Sequence, residues 1–139
     1  MAKLQLTVVS QEKALLDTHV DSVTAVTSSG EITILPGHIP LFTQLETGEL
    51  RYSVDKHISS IVVSAGFLTV SVDNVITVMA DTAVADRDIS LQKAEAAVRH
   101  AKETILSSED QRERILAEAA LRRALLEVKI AQRTKRTSI

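Results

Sequence analysis

Val75-Ile76-Thr77-Val78-Met79-Ala80, followed shortly by Asp86-Arg87-Asp88 and then by Leu91, Ala94, Val98, Ala101 and Ile105, is the stretch in which the chain changes its period. The first run is alternating and β-branched, as in a strand whose successive side chains point to opposite faces. The second spaces apolar residues three and four apart, the stripe of an amphipathic helix. No long linker separates them. The change near Val84-Ala85 therefore predicts two parts, a β domain over residues 1–84 and a helical domain over 85–139.

Toward the amino terminus the short period repeats. Leu4, Leu6 and Val8 alternate with Lys3, Gln5 and Thr7, and the pattern returns in Leu50, Tyr52 and Val54 and in Leu68, Val70 and Val72. Strand-like runs also cover Asp21 to Thr27, Glu31 to Leu35 and Ser59 to Ser64. Turn residues punctuate them at Ser28-Ser29-Gly30, Leu35-Pro36-Gly37, Thr47-Gly48, Ala65-Gly66 and Asp73-Asn74. About eight to ten short strands at this spacing predict an antiparallel β-sandwich or flattened barrel.

Toward the carboxyl terminus nothing breaks a helix by composition, because all four glycines and both prolines lie before residue 84. The expected interruption is Leu106-Ser107-Ser108, where Ser108 and Gln111 read as a capping box opening a second helix. That helix carries Ala117, Leu121, Ala124, Val128 and Ala131 as a heptad-like seam. Two helices of roughly 17 and 25 residues with a very short connection must run antiparallel, an αα-hairpin. Its alanine seam allows close approach but buries little apolar surface, each Å² stabilising by about 25 cal/mol. A hairpin that is marginal by itself and able to rearrange is expected.

Composition narrows the function. Apolar residues make up 45% and charged residues 24%, the balance of a globular protein. No run approaches the roughly 18 apolar residues of a membrane helix. Met1-Ala2-Lys3-Leu4 leads straight into a strand pattern without the zones of a secretory signal, so a cytosolic or equivalent compartment is expected. The absence of cysteine excludes disulfides and thiolate chemistry. His19, His38, His57 and His100 show no metal-ligand spacing, and no nucleophile elbow, Walker loop or dinucleotide fingerprint occurs. Asp81, Asp86 and Asp88 are explained by the preference of acids for a helix amino terminus. No catalytic residue is expected.

Charge divides with the period. Residues 1–84 hold four Lys/Arg against nine Asp/Glu, a charge of −5, and residues 85–139 hold twelve against nine, a charge of +3. The basic second helix raises nucleic acid as a partner through Arg122, Arg123, Lys129, Arg133, Lys135 and Arg136. These residues are spread around the helix and no aromatic interleaves them, so an acidic protein partner fits better.

Gly30-Glu31-Ile32-Thr33-Ile34-Leu35-Pro36-Gly37-His38-Ile39-Pro40-Leu41 is more particular than a connection requires. Two prolines and two glycines fix the backbone around one acid and one imidazole, which is how a loop is held for presentation. A tight turn between strands explains the same residues, and so does an acid–base pair of Glu31 and His38, which would need a substrate pocket.

This segment resembles the glycine-x-x-x-x-leucine-proline-glycine-histidine-x-proline-leucine stretch of the epsilon-subunit family of bacterial and chloroplast F-type ATP synthases. Val63 to Val70 with Asn74 to Ala83 is similar to the family's second signature, and Ala119 to Leu125 with Val128 to Ala131 to its second helix. The resemblance implies a non-catalytic rotor subunit of a machine coupling proton (or sodium) flow to ATP synthesis. It implies a sandwich touching the gamma subunit and the loops of the c-subunit ring, with Glu31 and His38 as partner contacts. It also implies a hairpin that either folds down or extends to the alpha and beta subunits and blocks ATP hydrolysis, with Arg122, Arg123, Lys129 and Arg133 facing their acidic surface. The complex would place the chain peripherally on the cytoplasmic face of a cell membrane, a thylakoid being disfavoured by the lack of a transit-like terminus.

Some family members bind ATP in the folded hairpin through Ile/Leu-Asp-x-x-Arg-Ala. Here the corresponding residues are Ile89-Ser90-Leu91-Gln92-Lys93-Ala94. The guanidinium fork and its carboxylate are both replaced, which leaves Lys93 and Arg122 as point charges for phosphates and at most weak ATP binding. A free-standing nucleotide-sensing module is the alternative function, and no obligate cofactor is expected.

Overall fold

The computed structural model of the chain describes residues 3–137, with side chains through Thr134. Eight strands come first: β1 (Leu4–Ser10), β2 (Ala14–Val20), β3 (Ser22–Thr27), β4 (Gly30–Ile34), β5 (Leu41–Leu45), β6 (Gly48–Val54), β7 (His57–Val70) and β8 (Val75–Ala85). A 3₁₀ turn at Asp86–Asp88 leads to helices α1 (Leu91–Ser107) and α2 (Gln111–Thr137). The chain separates into two compact units, Met1–Ala85 and Asp86–Ile139.

In the first unit the strands follow the order β2-β1-β8-β7-β5-β3-β4, and β6 pairs with both β3 and β7. The pairing of β7 explains how one continuous arrangement makes a sandwich. Its first half, His57 to Val63, pairs with β6, and its second, Gly66 to Val70, pairs with β5, while β8 runs along both. Ala65-Gly66 is therefore a corner inside a long strand and not the turn its composition predicts. The ladder to β8 is interrupted between Ser64↔Thr82 and Gly66↔Ala80, where Ala65 has a positive φ of 33°. Gly66 is needed for space: a Cβ there would lie 2.1 Å from the Met79 carbonyl oxygen.

All pairs are antiparallel except β1 with β8, which run parallel from Gln5↔Val75 to Ser10↔Ala80. The alternation read in the sequence becomes the core. Leu4, Leu6 and Val8 of β1, Val23 of β3, Leu50 of β6, Leu68 of β7 and Ile76 and Val78 of β8 are all completely buried in one cluster. Val72 departs from the expected alternation, standing exposed beyond the end of β7. β2 and β5 are strands the pattern does not reveal. The adjacent Leu15 and Leu16 break the period of β2. β5 turns its most apolar side chain, Phe42, outward and stacks it on Phe67 of β7 at 5.4 Å between ring centres.

The second unit is the antiparallel hairpin, with helices of 17 and 27 residues. Ser90 caps α1, its hydroxyl accepting from the Lys93 N–H at 3.3 Å. Ser108 ends α1 instead of opening α2: its N–H donates to the Thr104 carbonyl at 2.9 Å. Asp110 takes the opening role expected of Ser108. Its carboxylate accepts from the Arg112 N–H at 3.0 Å and its carbonyl from the Arg114 N–H at 3.0 Å. A carboxylate satisfies orphan amides and meets the positive end of the helix dipole at once, which a serine cannot. Ala94 and Ala101 of α1 and Ala117, Ala124 and Ala131 of α2, each seven residues from the next within its helix, are buried along one seam, and Ile130, which the seven-residue spacing does not pick out, is completely buried as well. Leu91, Val98, Leu121 and Val128 are only half-buried beside it.

Candidate partner-binding surfaces

The Leu35–His38 segment is a four-residue turn closed by the His38 N–H donating to the Leu35 carbonyl at 3.1 Å. Pro36 at its second position and Gly37 at its third, with φ +85°, give the geometry of a type II turn, which demands glycine there. The consequence is a tip of stated chemistry. Leu35 and Ile39 are 57% and 74% exposed on either side of a half-buried His38, so apolar and imidazole surface are presented together. The His38 Nδ1 lies 2.7 Å from the Ile39 carbonyl oxygen, which holds the ring.

Glu31 is on β4, exposed, and its carboxylate accepts from Arg51 of β6 at 3.2 Å. Glu31 and His38 are thus engaged with different partners, and the acid–base pair allowed by the sequence is not formed. Both remain accessible on the sandwich.

A second surface of the sandwich was not read from the sequence. Phe42 of β5, Phe67 of β7 and Met79 of β8 are 66%, 44% and 45% exposed, and Phe67 stands directly across from Met79 in the ladder. Three large apolar side chains in a row on an outward sheet face mark an interaction surface. The signal in the sequence is weak, because Phe67 and Met79 sit at the polar phase of strands that already supply the core.

On α2 the basic residues take two directions. Arg122, Lys129 and Arg133 are exposed and lie seven and four residues apart, which puts them on one stripe of the helix. Arg123 is rotated away from that stripe and half-buried, with its Nε shielded from solvent and without a hydrogen-bond partner. It lines a groove of about 410 Å³ between the helices together with Ala97, His100, Thr104 and Glu113. One turn further on, burial pushes the Glu127 carboxyl above its ordinary range, and the Arg123 charge opposes that rise. The basic residues are therefore not spread evenly around the helix, as their order in the sequence suggests. The side chains of Lys135 and Arg136 lie outside the described residues.

Lys93 and Arg122 are both exposed but not brought together. Lys93 belongs to the first turn of α1, whose Leu91 and Gln92 line a cavity with Ala131 and Thr134 of α2, whereas Arg122 is next to Arg123, which lines a groove with Ala97 and Ala101 further along α1. That is an offset of about two helical turns, roughly 11 Å along the hairpin. A cavity of about 380 Å³ at the start of α1 is lined by Asp86, Arg87, Ser90 and Gln92, with neither Lys93 nor Arg122 on its wall. No helix among the described residues is long and apolar enough to cross a membrane.

Residues 3–86 match the family model described as the ATP synthase, Delta/Epsilon chain, beta-sandwich domain. The chain is 39% identical to the ATP synthase epsilon chain of Geotalea daltonii over 136 residues, covering 96% of this chain and 97% of the relative. It is 37% identical to that of Geobacter sulfurreducens over the same shares of both chains. Among solved structures it resembles a chain of the Euglena gracilis mitochondrial ATP synthase, OSCP/F1/c-ring in rotational state 1, with a TM-score of 0.75 and 27% identity over 97% of this chain and 82% of that one. A sandwich of this topology, a helical hairpin after it in the chain and likeness along nearly the whole length lead to one assignment: the chain belongs to the family of ATP synthase epsilon chains, non-catalytic subunits of that membrane-associated complex.

Proposed function

We propose that the sandwich couples this subunit to the rotor and that the hairpin is a movable brake on ATP hydrolysis. The observation that carries the reading is that likeness to epsilon chains extends through both units, over 96% of the chain, and not through the sandwich alone. In this reading Glu31, His38 and the exposed Leu35 and Ile39 meet the gamma subunit and the c-ring loops. The Phe42–Phe67–Met79 face adds the apolar area that a lasting interface needs. The stripe of Arg122, Lys129 and Arg133 suits an acidic surface of the alpha and beta subunits, with Arg123 contributing only if the hairpin opens. The driving ion is taken to be the proton, and the working place the cytoplasmic face of a cell membrane.

The alanine seam supports a two-state hairpin, because, Ile130 apart, the buried side chains among the described residues of its helices are alanines whose contacts are small enough to be exchanged for contacts elsewhere. Deleting residues 86–139 tests this. The reconstituted complex is expected to hydrolyse ATP several-fold faster while still synthesising it, and an unchanged hydrolysis rate sinks the brake. ATP itself is assigned at most weak binding to the isolated chain, since Lys93 and Arg122 are separated along the hairpin and neither offers a paired carboxylate. Isothermal titration should find no saturation below about 1 mM ATP, and tighter binding would instead favour the nucleotide-sensing alternative.

A further inference from the structure

The type II turn at Leu35–His38 leaves one of its own groups unsatisfied. In such a turn the central peptide stands across the turn plane, so the N–H between Pro36 and Gly37 points outward and cannot join the closing bond. Here that N–H donates to the side-chain carbonyl of Asn74 at 2.8 Å, from a residue 37 positions further along the chain. Asn74 sits in the tight connection between β7 and β8, and several bonds fix it there. Its own N–H donates to the Ser71 carbonyl at 3.3 Å, and its carbonyl accepts from the Gln5 N–H of β1 at 2.8 Å. The Ser71 hydroxyl accepts from both Asp73 and Val75 N–H groups at 3.2 Å. Asn74 adopts a left-handed backbone with φ +62°, which asparagine and aspartate tolerate better than other side chains.

We infer that Asn74 is the positioning residue of the partner-contact turn: its carboxamide latches the Gly37 N–H and so fixes the tip carrying Leu35, His38 and Ile39 to the β1–β7–β8 body. Without the latch the turn would keep only its internal bond, and its exposed tip would have to be ordered at the moment of binding. Fixing it beforehand removes that cost, which is how a loop on a rigid scaffold gains affinity without a new contact. Asn74 itself need not touch the partner. The inference rests on the proposal that this turn contacts the rotor.

Two substitutions separate the latch from the fold. Asn74→Gly keeps the left-handed backbone and its two backbone bonds but removes the carboxamide. Asn74→Asp keeps an acceptor in place. In the full chain, Asn74→Gly should speed amide exchange at Gly37 about five- to tenfold, the value of one hydrogen bond, with little change at the buried strands. It should weaken binding to a gamma–c-ring assembly lacking this subunit by a similar factor, and Asn74→Asp should restore both to within about twofold of the unaltered chain. Unchanged Gly37 exchange in Asn74→Gly overturns the latch. So does faster exchange with unchanged binding, provided His38→Ala weakens binding. If His38→Ala also binds normally, the contact role of the turn fails, and the positioning role with it.

Discussion

Gly66 shows how much one position can hold. It lies where β7 passes from pairing with β6 to pairing with β5, and its neighbours across the ladder are backbone atoms of β8. A flexible side chain could yield to an added methyl group, but the Met79 carbonyl at 2.1 Å and the Ala80 Cα at 2.7 Å cannot move without breaking the ladder. Gly66→Ala should therefore destabilise the sandwich by about 3 kcal/mol, the upper part of the range for overpacking, as read from urea unfolding. Gly37 requires glycine for a different reason, because its surroundings are open and its φ of +85° is the constraint. The sequence marks both glycines and distinguishes neither. Ala65-Gly66 and Pro36-Gly37 look equally like turns until the pairing partners on either side are known.

Among the elements, α2 carries the hairpin's electrostatic cost. Burial raises the Glu127 carboxyl while Arg123, one turn earlier, lowers it, and the first effect prevails. The folded state then holds the Glu127 proton more tightly than the unfolded chain does. In the window from the ordinary carboxylate range up to the raised value, stability falls as pH rises, and above it the loss is complete. Glu127→Gln should flatten this dependence and raise the unfolding temperature of the helical signal near neutral pH, while leaving it unchanged below the carboxylate range. Circular dichroism melts across pH check the sign, and a Glu127→Gln variant less stable at neutral pH would mean that the Arg123 attraction dominates. The helix spacing made the seam readable in advance, since seven-residue steps of alanine survive in the folded hairpin. The cap was not readable in the same way. Ser108, Asp110 and their neighbours can all accept a backbone N–H, and only the geometry of the short connection gives Ser108 to the end of α1 and Asp110 to the start of α2.

For the whole molecule, the division into two units makes deletion of residues 86–139 informative. The sandwich core is drawn entirely from residues between Leu4 and Ala83, so the deleted chain is expected to retain a cooperative thermal transition and β-type circular dichroism. Loss of that transition would show that the change in hydrolysis reports unfolding and not release of a brake. Periodicity and composition by themselves determined the β-then-αα order, most core positions and the opposite charges of the two parts. These are local properties, written in the spacing of neighbouring side chains and in counts that folding does not alter. The Gly30–Leu41 stretch likewise pointed to the family through its residues alone. Tertiary structure decided what depends on residues far apart in the chain. It set the parallel pairing of β1 with β8, the outward face of Phe42, Phe67 and Met79, and the separation of Lys93 from Arg122. It also set the hold of Asn74 on Gly37, which no local pattern encodes because the bond joins two turns that only the closed sandwich brings together.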